Sequence, residues 1–253
     1  QETTDGGSSW SDISNGGSNP AYSNATTATL NLTNVPSGYD GYEYRCMVSG
    51  ACSPSATSNT ADLTVFNCGT STVNDIDGNT YNTVEIGSQC WMAENMATTQ
   101  YADGTSIPYV DDYTEWDNLT ETDKAYCWYS NDISNKDPYG ALYTWAAAMN
   151  GASSSAGNPS GVQGICPDGW HIPSDDEWKQ LEGEVDATYN YGDSEWDEVG
   201  WRGDDAGSAL AGNELLYAGG NLVNHASFGS SGFTALPGGH RIHYSSWYGL
   251  SYY

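Results

Sequence analysis

Cys166-Pro167-Asp168-Gly169-Trp170-His171-Ile172-Pro173-Ser174-Asp175-Asp176-Glu177-Trp178-Lys179-Gln180-Leu181 is the stretch whose reading decides the fold. Pro167 and Gly169 make a turn. Trp170 and Ile172 then alternate on an extended segment that Pro173 stops. Ser174 follows as a helix N-cap, and Glu177, three residues on, closes a capping box. Asp175 and Asp176 occupy the first turn, where the helix dipole favours negative charge. Trp178, Leu181 and Val185 fall at i, i+3 and i+7 and give the helix one buried face. His171, Ser174 and Asp175 lie along a single turn, a poor geometry for a catalytic triad, so His171 reads as structural.

Around this stretch the composition is that of a turn-rich, acidic chain. The 253 residues carry 6 Lys plus Arg against 33 Asp plus Glu, a formal charge of −27. Such a surface repels phosphate backbones and anionic lipid heads, which argues against nucleic acid and membrane partners. Aliphatic side chains are few, but 10 Trp and 19 Tyr supply apolar area with a polar handle. With 30 Gly, this predicts short strands and tight turns rather than long helices. Six cysteines without a CxxC or Cys/His zinc spacing suit an oxidising, extracellular compartment. No apolar run has membrane length and no signal peptide is present, so residue 1 is read as the start of a processed form or a fragment.

Residues 1–67 alternate in three places. Ala28 to Val35 reads as a half-buried strand, Tyr42, Tyr44, Cys46 and Val48 share one face of a second, and Ala61 to Val65 form a last one. The segments DGGSSWSDISNGG, TATLNLTNV and GYEYRCMVSGAC resemble Ig-like modules repeated in large bacterial surface adhesins of the Bacteroidetes type. DGYEYRC is similar to a strand-F tyrosine corner. The resemblance implies a partial β-sandwich whose first two strands lie upstream of residue 1 or are donated by another subunit. Cys46 and Cys52 could staple a hairpin, or Cys46 could pair elsewhere; spacing does not decide.

From Cys68 a new pattern begins. Asp77-Gly78 is a strong two-residue hairpin signal. An EF-hand reading fails there, because the glycine comes at loop position four and position twelve is Ile86. Residues 109–124 read as an exposed acidic loop, 125–129 as a short aromatic strand, 139–149 as a helix through Leu142, Trp145 and Met149, and 205–210 as a short helix. DIDGNTYNTVEIGSQCWMAENM, YGALYTW, CPDGWHIPSDDEW and GFTALPGGHR, in this order, resemble the Fibrobacter succinogenes major paralogous domain over about residues 68 to 241. That resemblance implies membership of the C-type-lectin-like superfamily: two helices around a twisted antiparallel sheet, with long loops and no established enzymatic activity. The fold class expected for the whole chain is therefore mostly β with an α+β second domain. The family's usual WWSS stretch and closing SVRC strand are not in the sequence, which implies that the second domain, 68–253, is truncated. Cys46, Cys52, Cys68, Cys90, Cys127 and Cys166, with Trp91, Trp170, His171, Ser174, Glu177 and Trp178, are assigned structural roles.

Candidate chemistry is sparse. The EPN or QPD loop and WND strand of calcium-dependent sugar-binding lectins are missing, as are GxSxG, HExxH and a phosphate loop. The reactive cysteine pair of sulfatase-activating enzymes is also missing, so no enzyme is expected. A structural calcium would find oxygen ligands at Asp111, Asp112, Asp204 and Asp205, which read equally as solvated charge. Arg202-Gly203-Asp204 spells an integrin-type tripeptide, with chance the default. The tail from His240 to Tyr253 is rich in Tyr, Ser and His, a composition that paratopes use and that an aromatic strand would equally show. Trp128, Tyr129, Trp201, His243, Tyr244, Trp247 and Tyr248 are the candidates for ligand contact. The expectation is a surface adhesin that binds a glycan or a protein on a host or neighbouring cell. The rival is a structural subunit that contacts copies of itself in a filament or matrix.

Overall fold

The computed structural model describes residues 1–50, 54–242 and 246–250. Cys52, His243 and Tyr244 lie outside the described residues, and with them any pairing of Cys46 with Cys52. The chain divides into two compact units, Gln1–Asn67 and Cys68–Tyr253. Among the described residues the architecture is mostly small antiparallel sheets with a few short helices, and no helix is long and apolar enough to cross a membrane.

In the first unit, β1 (Glu2–Thr3), β4 (Glu43–Tyr44) and β7 (Ala61–Asp62) form a three-stranded sheet. Hairpins β2 (Ala21–Ser23) with β3 (Asn31–Thr33), and β5 (Met47–Val48) with β6 (Ala56–Thr57), complete it. The strands are shorter than their alternation predicts. Tyr44 pairs in one sheet and Val48 in another, so the predicted continuous face from Tyr42 to Val48 is split. Polar knots fill the gaps. Asp5 accepts hydrogen bonds from the hydroxyls of Ser9 and Thr3 and from the Ser9 N–H, which hold its carboxyl down at about 2. Arg45 lies 4.0 Å over the Trp10 ring.

The second unit opens on the predicted hairpin. β8 (Val73–Asn74) pairs with β9 (Thr80–Tyr81), and the turn closes through Gly78 N–H donating to the Asp75 carbonyl at 3.1 Å. Buried Asp75 accepts from the Asn79 side chain and the Tyr81 hydroxyl, both at 2.7 Å. β10 (Thr83–Ile86) pairs with β11 (Gln89–Met92), and the Cys68–Cys90 disulfide ties the unit's first residue to this hairpin. The disulfide closes a separation of 22 residues. Replacing both cysteines by alanine is expected to lower the unit's stability by about 3 kcal/mol, the loop-closure value for that length. Urea unfolding would show a lower midpoint, and an unchanged midpoint would refute the assignment of a stabilising role.

Two buried clusters follow. In one, Ala97, Tyr101, Ile107, Tyr126, Trp128, Ala147 and Ile165 pack together. In the other, Ile86, Leu181 and Leu210 are joined by Val84, Trp91, Val185 and Phe233. The helix predicted from Ser174 is present as α4, defined here with the elements that precede it: α1 (Tyr113–Asp117), β12 (Tyr126–Cys127), α2 (Lys136–Tyr139), β13 (Leu142–Tyr143), α3 (Trp145–Ala148) and α4 (Asp175–Val185). Both halves of the capping box form, and Leu181 is fully buried. Trp178 is more exposed than its spacing predicts and packs against Trp91, ring centroids 5.0 Å apart and tilted by 43°. After α4 come α5 (Ala206–Leu210), α6 (Asn221–Asn224) and the tail hairpin β14 (Gly238–Ile242) with β15 (Ser246–Leu250).

Two sequence expectations are corrected. Residues 109–124 are not only loop: Asp112 caps α1 by accepting the Glu115 N–H at 2.9 Å. The single helix predicted over 139–149 is only partly present: Tyr139 ends α2, and within the rest of the span only Trp145–Ala148 is helical. Gly140 has φ +72°, and a Cβ there would meet the Met96 carbonyl oxygen at 2.6 Å. The chain therefore leaves α2, pairs as β13, and restarts at Thr144, whose hydroxyl caps α3.

Candidate functional site

The restart at Thr144 places Trp145 at the first position of α3, where it is 64 % exposed, while Ala146, Ala147 and Met149 turn inward. The end of α3 is anchored by Ile165 N–H donating to the Ala148 carbonyl at 2.9 Å. Ile172 N–H in turn donates to the Val162 carbonyl at 2.8 Å. Between α3, the 150–163 loop and the start of α4 lies a cleft of about 340 Å³. Trp145 and Ser154 are exposed at its edge, Met149, Val162 and Ile172 supply apolar lining, and Asp175 brings a carboxylate.

Glu177 holds this cleft together. Its Oε2 accepts the N–H groups of Ser174 at 2.9 Å and Ser160 at 3.0 Å, and its Oε1 accepts from His171 Nε2 at 2.7 Å. Burial works to raise the carboxyl's pKa, but the bonds from Ser174, His171 and Ser160 outweigh it and hold the group below the ordinary value. The Ser160 hydroxyl bonds the Ile172 carbonyl. His171, Ser174 and Glu177 thus join the loop, the extended segment before the helix and the helix itself rather than forming a nucleophilic relay. At the lip, Ser155 Oγ accepts from Gly157 N–H at 3.1 Å, which leaves its own O–H to donate.

The tail builds a different cluster. Arg241 sits among three aromatic rings, 4.3 Å from the Trp116 centroid, 4.7 Å from Trp247 and 5.5 Å from Tyr113. It also donates to the carbonyls of Val110 at 2.8 Å and of Asp111 and Asp112 at 3.3 Å. Tyr129 packs 5.3 Å from Trp247. The guanidinium is thereby hydrogen-bonded and covered, so it fastens the 110–116 segment to the tail hairpin.

Of the aromatic candidates, Tyr129 and Trp247 are brought together in this lock. Tyr248 is half exposed and stacks instead on His240, 6.0 Å away. Trp128 is 6 % exposed inside the core and offers no face to a ligand, as the whole run from Ala125 to Trp128 is buried. Trp201 is 96 % exposed on the 186–205 loop. Trp145 was missed as a surface residue because its helical spacing from Leu142 and Met149 read as interior. Thr144, a good N-cap before Trp-Ala-Ala-Ala, was the signal that could have found it.

A model of the family described as the Fibrobacter succinogenes major domain matches residues 84–253. The chain belongs to this family. No curated protein and no solved structure matches it. In this member of the Fibrobacter succinogenes major domain family the matched region contains both the Trp145 cleft and the Arg241 lock. Trp145 closes one of the stretches that carry the resemblance, and Ile172, Pro173 and Asp175 belong to another.

The acidic candidates for calcium have other partners in this family member. Asp112 caps α1. Asp205 accepts the Ala187 N–H at 2.8 Å, and Asp204 accepts the Thr188 hydroxyl at 2.8 Å. Asp186 lies between them, its Oδ2 accepting three N–H groups, from Asp204, Asp205 and Ala206. Burial raises the Asp186 carboxyl's pKa, and the backbone bonds overcome it and depress it. Among the described residues no group of three or more His, Cys, Asp or Glu is arranged to hold a metal. Asp111, which offers its carbonyl to Arg241 and to Asn131, is not joined to Asp204 and Asp205 by any described contact. The Arg202-Gly203-Asp204 tripeptide is tied down, with Arg202 2.6 Å from Glu182. Cys127 and Cys166 are buried free thiols; burial raises both, Cys166 to about 12, which keeps it protonated and unreactive.

Proposed function

We propose that this chain is part of an extracellular bacterial surface adhesin in which an Ig-like module carries a C-type-lectin-like domain, and that the domain binds a glycan non-catalytically in the Trp145 cleft. The observation that carries the reading is the indole of Trp145, 64 % exposed beside a cleft with hydroxyls and a carboxylate on its walls. Packing does not explain an exposed indole there. A pyranose ring has an apolar C–H face that stacks on an indole and hydroxyls that suit serine and carboxylate partners. The Cys68–Cys90 disulfide and the acidic charge suit an oxidising exterior. A structural calcium in the acidic loops would be a separate aid to stability, read as a rise in melting temperature on adding the ion.

A glycan array probed with the full chain tests the proposal. Trp145→Ala is expected to weaken any hit by about tenfold or more, the worth of a lost aromatic stack, without moving the melting temperature. Equal binding by the variant would remove the cleft from the reading.

The rival reading, a structural subunit contacting its own copies, draws on Val199 and Trp201, which are 100 % and 96 % exposed on one loop. It predicts concentration-dependent assembly in sedimentation that Trp201→Ser abolishes.

A further inference from the structure

We infer that the saccharide taken by the Trp145 cleft is a neutral 2-acetamido sugar, such as an N-acetylhexosamine unit, rather than a plain hexose or an acidic sugar. This rests on the reading of the cleft as a glycan site. The argument begins from the walls. Stacking of a bare hexopyranose needs one aromatic face, and Trp145 supplies it. The cleft has more apolar surface than that: Met149, Val162, Ile172 and Pro173 line it as well. Met149 is 3 % exposed and Val162, Ile172 and Pro173 are half-buried, so this surface lies deeper than the exposed indole. A sugar bearing only hydroxyls would strand them against these side chains, with a desolvation penalty for each unpaired group. An acetamido methyl removes that mismatch and buries apolar area in its place.

The polar groups point the same way. An acetamido group brings an N–H donor and a carbonyl acceptor. Asp175 supplies an acceptor, and the Ser155 hydroxyl, which already accepts from Gly157, has a proton to donate. No Lys or Arg lines the cleft. Lys179 and Arg202 approach Asp175 at 3.0 and 3.7 Å, but each is shared with another acid, Asp197 at 2.6 Å and Glu182 at 2.6 Å. A uronate or sialate carboxylate would therefore meet Asp175 without a free cation to pair with, in a chain of charge −27.

Isothermal titration of the full chain with three oligosaccharides of equal length tests this: N-acetylglucosamine units, glucose units and glucuronate-containing units. The acetamido series is expected to bind at least about tenfold more tightly than the glucose series, the effect of one methyl-sized apolar contact plus one amide hydrogen bond, with the glucuronate series weakest. Trp145→Ala should weaken the binding by about tenfold or more at unchanged melting temperature. Glucose or glucuronate units binding as tightly as acetamido units, with Trp145→Ala still weakening it, would overturn the sugar class and leave the glycan site standing. Acetamido binding that Trp145→Ala leaves undiminished would overturn the placement. No binding of any saccharide, here or on the array, would overturn the site and the inference together.

Discussion

Gly164→Ala is expected to destabilise the 68–253 unit by about 4 kcal/mol, the upper range for single substitutions, and to take the Trp145 cleft with it. Gly164 has φ +55°, a region that costs an L-residue about 1–2 kcal/mol before any contact is counted. A Cβ at this position would also stand 2.2 Å from the Ala148 carbonyl oxygen and 2.8 Å from Ile172 Cγ1. The first neighbour is backbone and cannot rotate away. Moving it breaks the bond from Ile165 N–H that anchors α3, and moving Ile172 strains its bridge to Val162. Both displaced elements are walls of the cleft. Chemical denaturation measures the loss. An unfolding free energy within about 0.5 kcal/mol of the parent would show that the chain at Gly164 is not held as described.

The parts of the fold that were legible in the sequence are those decided within a few residues. Ser174 and Glu177 specify their capping box because donor and acceptor are three positions apart; Asp77-Gly78 marks the hairpin for a like reason, although the paired strands leave residues 75–79 between them rather than two. The α5 helix was also readable from local spacing. What was not legible depends on partners far along the chain. Arg241 finds the Val110 carbonyl 131 residues away in sequence, so neither the guanidinium nor Trp116 announced the lock they form. Cys68 and Cys90 could not be paired by spacing alone. The misread helix over 139–149 is the most instructive case. The apolar period does continue through Leu142, Trp145 and Met149, but the close approach of Gly140 to the Met96 carbonyl overrides it. That override is a tertiary contact, and it turns Trp145 from an expected core residue into the exposed wall of the candidate site.

Glu177→Ala is expected to cost about 4 kcal/mol, in the range for removing one partner of a buried, multiply bonded charge. The carboxylate is 6 % exposed and accepts from Ser174, Ser160 and His171. With alanine there, the Ser174 and Ser160 N–H groups lose their acceptor in a place that water reaches poorly. The helix start and the 150–163 loop are then no longer tied to each other. Hydrogen exchange at the Ser160 amide should accelerate more than exchange at Leu181, because the loop can open while the helix core stays packed. Acid should reproduce part of the effect in the parent protein. The folded-state pKa of Glu177 is depressed, so its contribution is fully present above the ordinary glutamate value of about 4.3 and is lost as pH falls through the lower folded value. Glu177→Gln keeps one acceptor and cannot ionise. Its stability should fall short of the parent at neutral pH, and the gap should narrow as pH is lowered through the acid range. A gap that stays constant with pH would show that the charge on Glu177, as distinct from its oxygen atoms, contributes nothing to holding the cleft.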